Sequence, residues 1–228
     1  MKKLLFIIPL IASIVFSSTV YAYDPENSGI EYRELQEYFY VNDDSISEIP
    51  EEVQEAWDSM KFYMMIFEKE RTTVYYTSGI DPDERYMDNE YYNGYYASAK
   101  TEYVTGAKGS HGRAVRPGKI FLYADANNSN TTIHEYGHAL YNIYHYRVGY
   151  RNKFADNWSK IYGKERKALI KYDNQSSYAA QKGKPHEGFA EAFRIYVVDS
   201  TWLWKNCPDT YDFMKKTISE TKKFDFKD

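Results

Sequence analysis

Two histidines four residues apart, in the stretch His134-Glu135-Tyr136-Gly137-His138, constrain this chain more than any other feature. On an α-helix such residues share a face, where two imidazole nitrogens can meet one ion at roughly 2.0–2.1 Å. The flanking sequence predicts that helix. Asn127 to Thr132 supplies capping residues, and Ile133, Gly137, Leu140, Tyr141 and Tyr144 then recur at helical spacing. Just upstream, Lys119-Ile120-Phe121-Leu122-Tyr123 alternates as a strand with one face on a core. Glu135 follows the first histidine closely enough to reach a water on the metal, so its expected role is that of general base.

A catalytic zinc takes three protein ligands and keeps a position open for water. A metzincin would place glycine and then histidine three and six residues past His138, but Tyr141 and Tyr144 stand there. His145 misses that register by one and reads as an ordinary late-helix histidine. A better source is Pro185-His186-Glu187-Gly188-Phe189-Ala190-Glu191-Ala192-Phe193. Glu187 and Glu191 share one helical face, whereas Phe189, Phe193 and Tyr196 point the opposite way into a core. One zinc ion per chain would satisfy one carboxylate as ligand, leaving the other to orient a histidine from behind. His186 adjoins Glu187, but adjacent helical residues diverge by about 100°, so only one of the two can face the ion. Glu187 is favoured because it shares its face with Glu191.

The rest of the chain predicts an α+β fold: a small mixed sheet, the active-site helix, and a mostly helical C-terminal half. Thr72 to Thr77 is β-branched and aromatic and reads as a strand ended by Ser78-Gly79. From Pro50, with Glu51 and Glu52 in the first turn, Val53, Trp57, Met60 and Met64 predict one amphipathic helix of about four to five turns. Asp24 to Asp44 has no clear period and reads as an arm or a loosely docked helix. Asp81-Pro82-Asp83 could start a short helix. Tyr91 to Lys119 is glycine-rich and reads as a long loop with one short strand around Tyr103-Val104. Three later segments place apolar residues on helical faces: Phe154, Trp158, Ile161, Tyr162 and Leu169; Phe189, Phe193, Tyr196 and Val197; and Tyr211, Met214 and Ile218 after Pro208.

The N-terminus predicts export. Lys2 and Lys3 precede an apolar run from Leu4 to Phe16, and Val20-Tyr21-Ala22 ends it in the manner of a signal peptide spanning residues 1–22. Residues 23–228 then fit one secreted, extracellular domain, with no later stretch apolar enough to span a membrane. Cys207 is the single cysteine, so no intramolecular disulfide can staple the chain, and a buried structural thiol is expected. The formal charge of −4 argues against a nucleic-acid partner, which would call for a basic surface.

The pairing of HEYGH with EGFAEAF resembles the catalytic domain shared by anthrax lethal factor and the clostridial secreted Pro-Pro endopeptidases. Tyr76-Thr77-Ser78-Gly79 and Asn206-Cys207-Pro208-Asp209-Thr210-Tyr211 add to the likeness, which spans residues 72–218. The resemblance implies a zincin-like metallopeptidase fold, with His134 and His138 as zinc ligands, Glu187 as the third, Glu135 as base and Glu191 behind the ligands. It also implies a tyrosine ahead of the third ligand that donates to the oxyanion. Tyr178 is the nearest candidate, at a slightly longer spacing than the family pattern. The basic stretch Lys108, His111, Arg113, Arg116 and Lys119 would by the same likeness belong to a substrate-covering loop, although it also reads as a solvated loop. Peptide substrate is expected along an exposed edge at Lys119–Tyr123, by strand addition, with the Pro-Pro endopeptidase likeness pointing to proline near the scissile bond. The rival expectation is a secreted zinc-binding protein without turnover, its site closed by a fourth ligand, His186 or His111.

Overall fold

The computed structural model describes residues 31–77, 94–97, 101–105, 111–115, 118–123, 128–145, 153–176 and 183–224, with backbone alone for Thr77, Tyr123 and the three segments between 94 and 115. Strands β1 (Arg33–Gln36), β2 (Phe39–Val41), β3 (Thr73–Thr77), β4 (Gly94–Ala97) and β7 (Lys119–Tyr123) form one sheet in the order β1-β2-β3-β7-β4. The outer pairs β1/β2 and β4/β7 are antiparallel, and β2, β3 and β7 are parallel. Alternation decides which face is buried. Phe39, Val74 and Ile120 stand in register, as do Val41, Tyr76 and Leu122, and all six are buried. Each such side chain contributes about 1.5–3 kcal/mol on full burial. The intervening row, Tyr40, Tyr75 and Phe121, lies on the other face as a stacked ladder with ring centroids 5.4 and 5.2 Å apart.

Several elements differ from the sequence expectation. The stretch before Pro50 is not a helix: from Arg33 it makes a hairpin whose Phe39 and Val41 belong to the core. The single helix expected after Pro50 is two, α1 (Glu51–Met60) and α2 (Met64–Lys69), separated by a turn at 61–63. Unbroken, it would set Ile66 about 120° away from Met60. The break lets Met60, Ile66 and Phe67 all bury, at the cost of exposing Phe62 and Met65. The region read as a long loop with one short strand has that strand as β5 (Thr101–Thr105), which contains Tyr103 and Val104, and adds two that were not expected: β4, and β6 (His111–Val115), which pairs with β5 as a separate hairpin. Strand β7 is not an edge. Parallel β3 and antiparallel β4 take up both of its hydrogen-bonding sides, so no backbone edge is left at Lys119–Tyr123 for a peptide to join.

The second half is helical: α3 (Ser129–Ile143), α4 (Phe154–Leu169), α5 (Pro185–Val198), α6 (Ser200–Asn206) and α7 (Pro208–Lys223). Helix α3 packs against α1, β4 and β7 on one side and against α5 on the other. Helix α5 is enclosed from Gly188 to Ile195, so the face that carries Glu191 is not solvated. Buried Glu165 of α4 caps α7, accepting from the amides of Asp209 (3.1 Å) and Thr210 (2.8 Å). Cys207 is a buried free thiol, and burial first, with Glu165 nearby, pushes its pKa up to about 12. Among the described residues, no helix is long and apolar enough to cross a membrane.

Candidate metal centre

Helix α3 begins at Asn128, whose side chain accepts from the Thr131 amide at 2.9 Å, satisfying one of the free donors of the first turn. That start puts His134, Glu135 and His138 midway along a buried helix. Their potential ligand atoms all lie within 4.8 Å of one another, so among the described residues these three form a group able to hold a metal ion. Gly137 sets how near α5 can come. A Cβ there would lie 2.6 Å from the Ala190 Cα and 2.7 Å from its carbonyl oxygen, so the two helices touch backbone to backbone at this point. Gly188 does the same for the next layer, since its Cβ would sit inside the Tyr162 ring.

This close approach brings Glu187, in the first turn of α5, over the two histidines. Glu187 Oε2 is 3.6 Å from His134 Nε2 and 3.5 Å from His138 Nε2. Those separations are long for hydrogen bonds. They match the edge of a tetrahedron of ligands held about 2.0–2.1 Å from one centre, which is roughly 3.4 Å. His186 adjoins the same carboxylate: its Nε2 is 3.3 Å from Glu187 Oε1, its ring centroid lies 5.9 Å from that of His138, and its side chain is 47% exposed. The two neighbouring side chains are therefore in contact, with Oε2 turned to His134 and His138 and Oε1 to His186.

Behind His134 lies a charged network. His134 Nδ1 is 3.2 Å from Glu191 Oε2. Arg194, 1% exposed, donates its Nε to both Glu191 oxygens at 3.1 Å and its Nη2 to Asp173 Oδ2 at 2.7 Å. Its Nη1 reaches Asn130 Oδ1 at 3.3 Å, and the Ser176 hydroxyl donates to Glu191. Only Glu191 of this group was legible in the sequence. Arginine is ordinarily a surface residue, and no pattern flags one that is buried. The signal available was its i+3 spacing from Glu191 on an otherwise apolar helix.

Charge in the centre is strongly coupled. Burial alone would lower the His134 imidazole, yet the Glu187 and Glu191 carboxylates more than offset it and lift it to about 10. Burial would likewise raise Glu187, but the surrounding histidines hold it far below the usual carboxylate range. The pocket therefore demands positive charge, which a proton or a cation can supply. Glu135 is 5% exposed, and its Oε2 has no hydrogen-bond partner. Burial raises its pKa, with His138 and His134 pulling the other way.

Of the residues expected from sequence, His134, His138, Glu135, Glu187 and Glu191 come together. Tyr178 lies outside the described residues, as do the N-terminal export signal and Asp81-Pro82-Asp83. His145 packs on Tyr141 and Phe154, away from the centre. A family model described as anthrax toxin lethal factor, N- and C-terminal domain, matches residues 31–217. No curated protein matches the chain.

Proposed function

The chain belongs to the anthrax toxin lethal factor family, and from that premise we propose that it is a secreted zinc-dependent endopeptidase with His134, His138 and Glu187 as its metal ligands. The observation that carries this reading is the convergence of two Nε2 atoms on one carboxylate oxygen at 3.5 and 3.6 Å, with Glu135 Oε2 buried and without a hydrogen-bond partner on the same helix. Two imidazoles and one carboxylate are a donor set suited to catalytic zinc. Bound there, zinc supplies Lewis acidity toward a carbonyl and brings the pKa of a coordinated water to about 7.

The chain's own groups do the rest. Glu135, desolvated and with its Oε2 unpartnered, takes the proton from the water that attacks the peptide carbonyl and passes it to the leaving nitrogen. Glu191 accepts from His134 Nδ1, which fixes the tautomer and leaves the Nε2 lone pair for the cation. Tyr178 is our candidate for the oxyanion donor, on the family likeness alone. The substrate edge moves from β7 to β4. Among the described residues β4 ends the sheet, runs antiparallel to β7 and packs against α3, so a peptide laid along it would run beside the helix that carries both histidines.

Purified protein should hydrolyse members of a random peptide library, lose that activity to a chelator and regain it with zinc. Stoichiometric zinc binding without any cleavage would instead identify a zinc-binding protein.

A further inference from the structure

We infer that Arg194 is a positioning residue for the metal centre, acting on His134 through Glu191. The inference rests on the proposed zinc site. A guanidinium that is 1% exposed must be compensated, and this one is compensated in a particular way. Its Nε reaches Oε1 and Oε2 of Glu191 at 3.1 Å each, and its Nη2 also bonds Oε1. With Ser176 donating to Oε1 as well, that oxygen is fully engaged, and Oε2 keeps room for the His134 Nδ1–H at 3.2 Å. Arg194 thereby sets which carboxylate oxygen faces the histidine, and at what angle.

The same side chain ties together three parts of the fold. It belongs to α5, as Glu187 does. Its Nη1 reaches Asn130, one helical turn before His134 on α3. Its Nη2 holds Asp173 and Ser176, at the helical turn that follows α4. A rigid fork with donors in one plane can satisfy these directions at once, and a lysine ammonium cannot. Both helices that supply ligands are thus referenced to one planar group.

The test is zinc affinity by chelator competition, with the thermal midpoint of each variant measured in parallel, for Arg194→Gln, Glu191→Gln and the double variant. Removing a partner behind a ligating histidine typically weakens zinc by about 10–100-fold. Arg194→Gln should fall in that range, and the double variant should be no weaker than Glu191→Gln, because the arginine acts through the glutamate. Wild-type affinity in a folded Arg194→Gln protein, or losses that multiply in the double variant, would overturn the inference. Should Arg194→Gln fail to fold, Arg194→Lys keeps the charge without the fork. It is expected to weaken zinc severalfold, and unchanged affinity would be the contrary result. A wild-type chain that takes up no zinc would remove the proposed function itself, a failure distinct from a variant that matches a zinc-binding wild type.

Discussion

Gly137→Ala adds one methyl group at the place where the two ligand-bearing helices touch. Its Cβ would lie 2.6 Å from the Ala190 Cα, and ordinary contact begins at 3.4 Å, so the helices must part by about 0.8 Å or rotate. No flexible side-chain end is there to yield, because the three atoms met are the Cα, carbonyl carbon and oxygen of Ala190. Overpacking of this kind costs about 1–3 kcal/mol. The functional consequence is larger than the stability loss suggests. His134 and His138 ride on α3 and Glu187 on α5, so a parting of that size stretches the 3.5 and 3.6 Å separations to roughly 4 Å or more, well past the roughly 3.4 Å edge that tetrahedral zinc requires of the proposed ligands. Urea unfolding should show the stability loss, and chelator competition should show zinc affinity reduced by at least tenfold. A variant with wild-type stability and zinc affinity within twofold would refute the argument that backbone contact at Gly137 sets the ligand geometry.

Other perturbations separate the roles of neighbouring groups. Glu187→Gln should weaken zinc retention after dialysis more than Glu191→Gln does, since only the first removes a ligand oxygen; the reverse order would exchange their roles. With its pKa lifted from 6.5 to about 10 by the two carboxylates, His134 carries a proton at pH 7.5 in the zinc-free chain and must lose it to bind metal. Calorimetry in buffers of different ionisation enthalpy should therefore detect about one proton or more released per zinc at that pH, falling as pH rises through about 10; no release at pH 7.5 would contradict this. Glu165→Ala strips the cap from α7 and should cost about 1–3 kcal/mol in urea unfolding with zinc affinity unchanged; a loss of zinc would show that the capping contact reaches the metal centre.

The parts of the fold and site that were legible in the sequence are those whose physics is local. The spacing of His134 and His138 on a helix capped at Asn128 needs only the helical repeat and one side-chain hydrogen bond. Glu187 and Glu191 were legible for the same reason, as were α4, α5 and α7. Strand order is set by contacts distant in sequence, so the inner position of β7 between β3 and β4 could not be read from the alternation of Lys119–Tyr123, which is the same for an edge strand. In the tyrosine- and glycine-rich region before Lys119 the short strand at Tyr103-Val104 is legible as β5, whereas β4 and β6 show no sustained period and their backbone pairing leaves no apolar signature. The break between α1 and α2 is a tertiary effect, driven by burying Met60 and Ile66 together. Arg194 escaped notice because its charge is buried against partners from three separate segments, of which only Glu191 is near in sequence.

If a metal held by His134, His138 and Glu187 serves hydrolysis with Glu135 as the base, peptide turnover by zinc-loaded Glu135→Ala protein decides it. That variant should keep a wild-type zinc content and lose hydrolysis; full turnover would show that Glu135 is not the base.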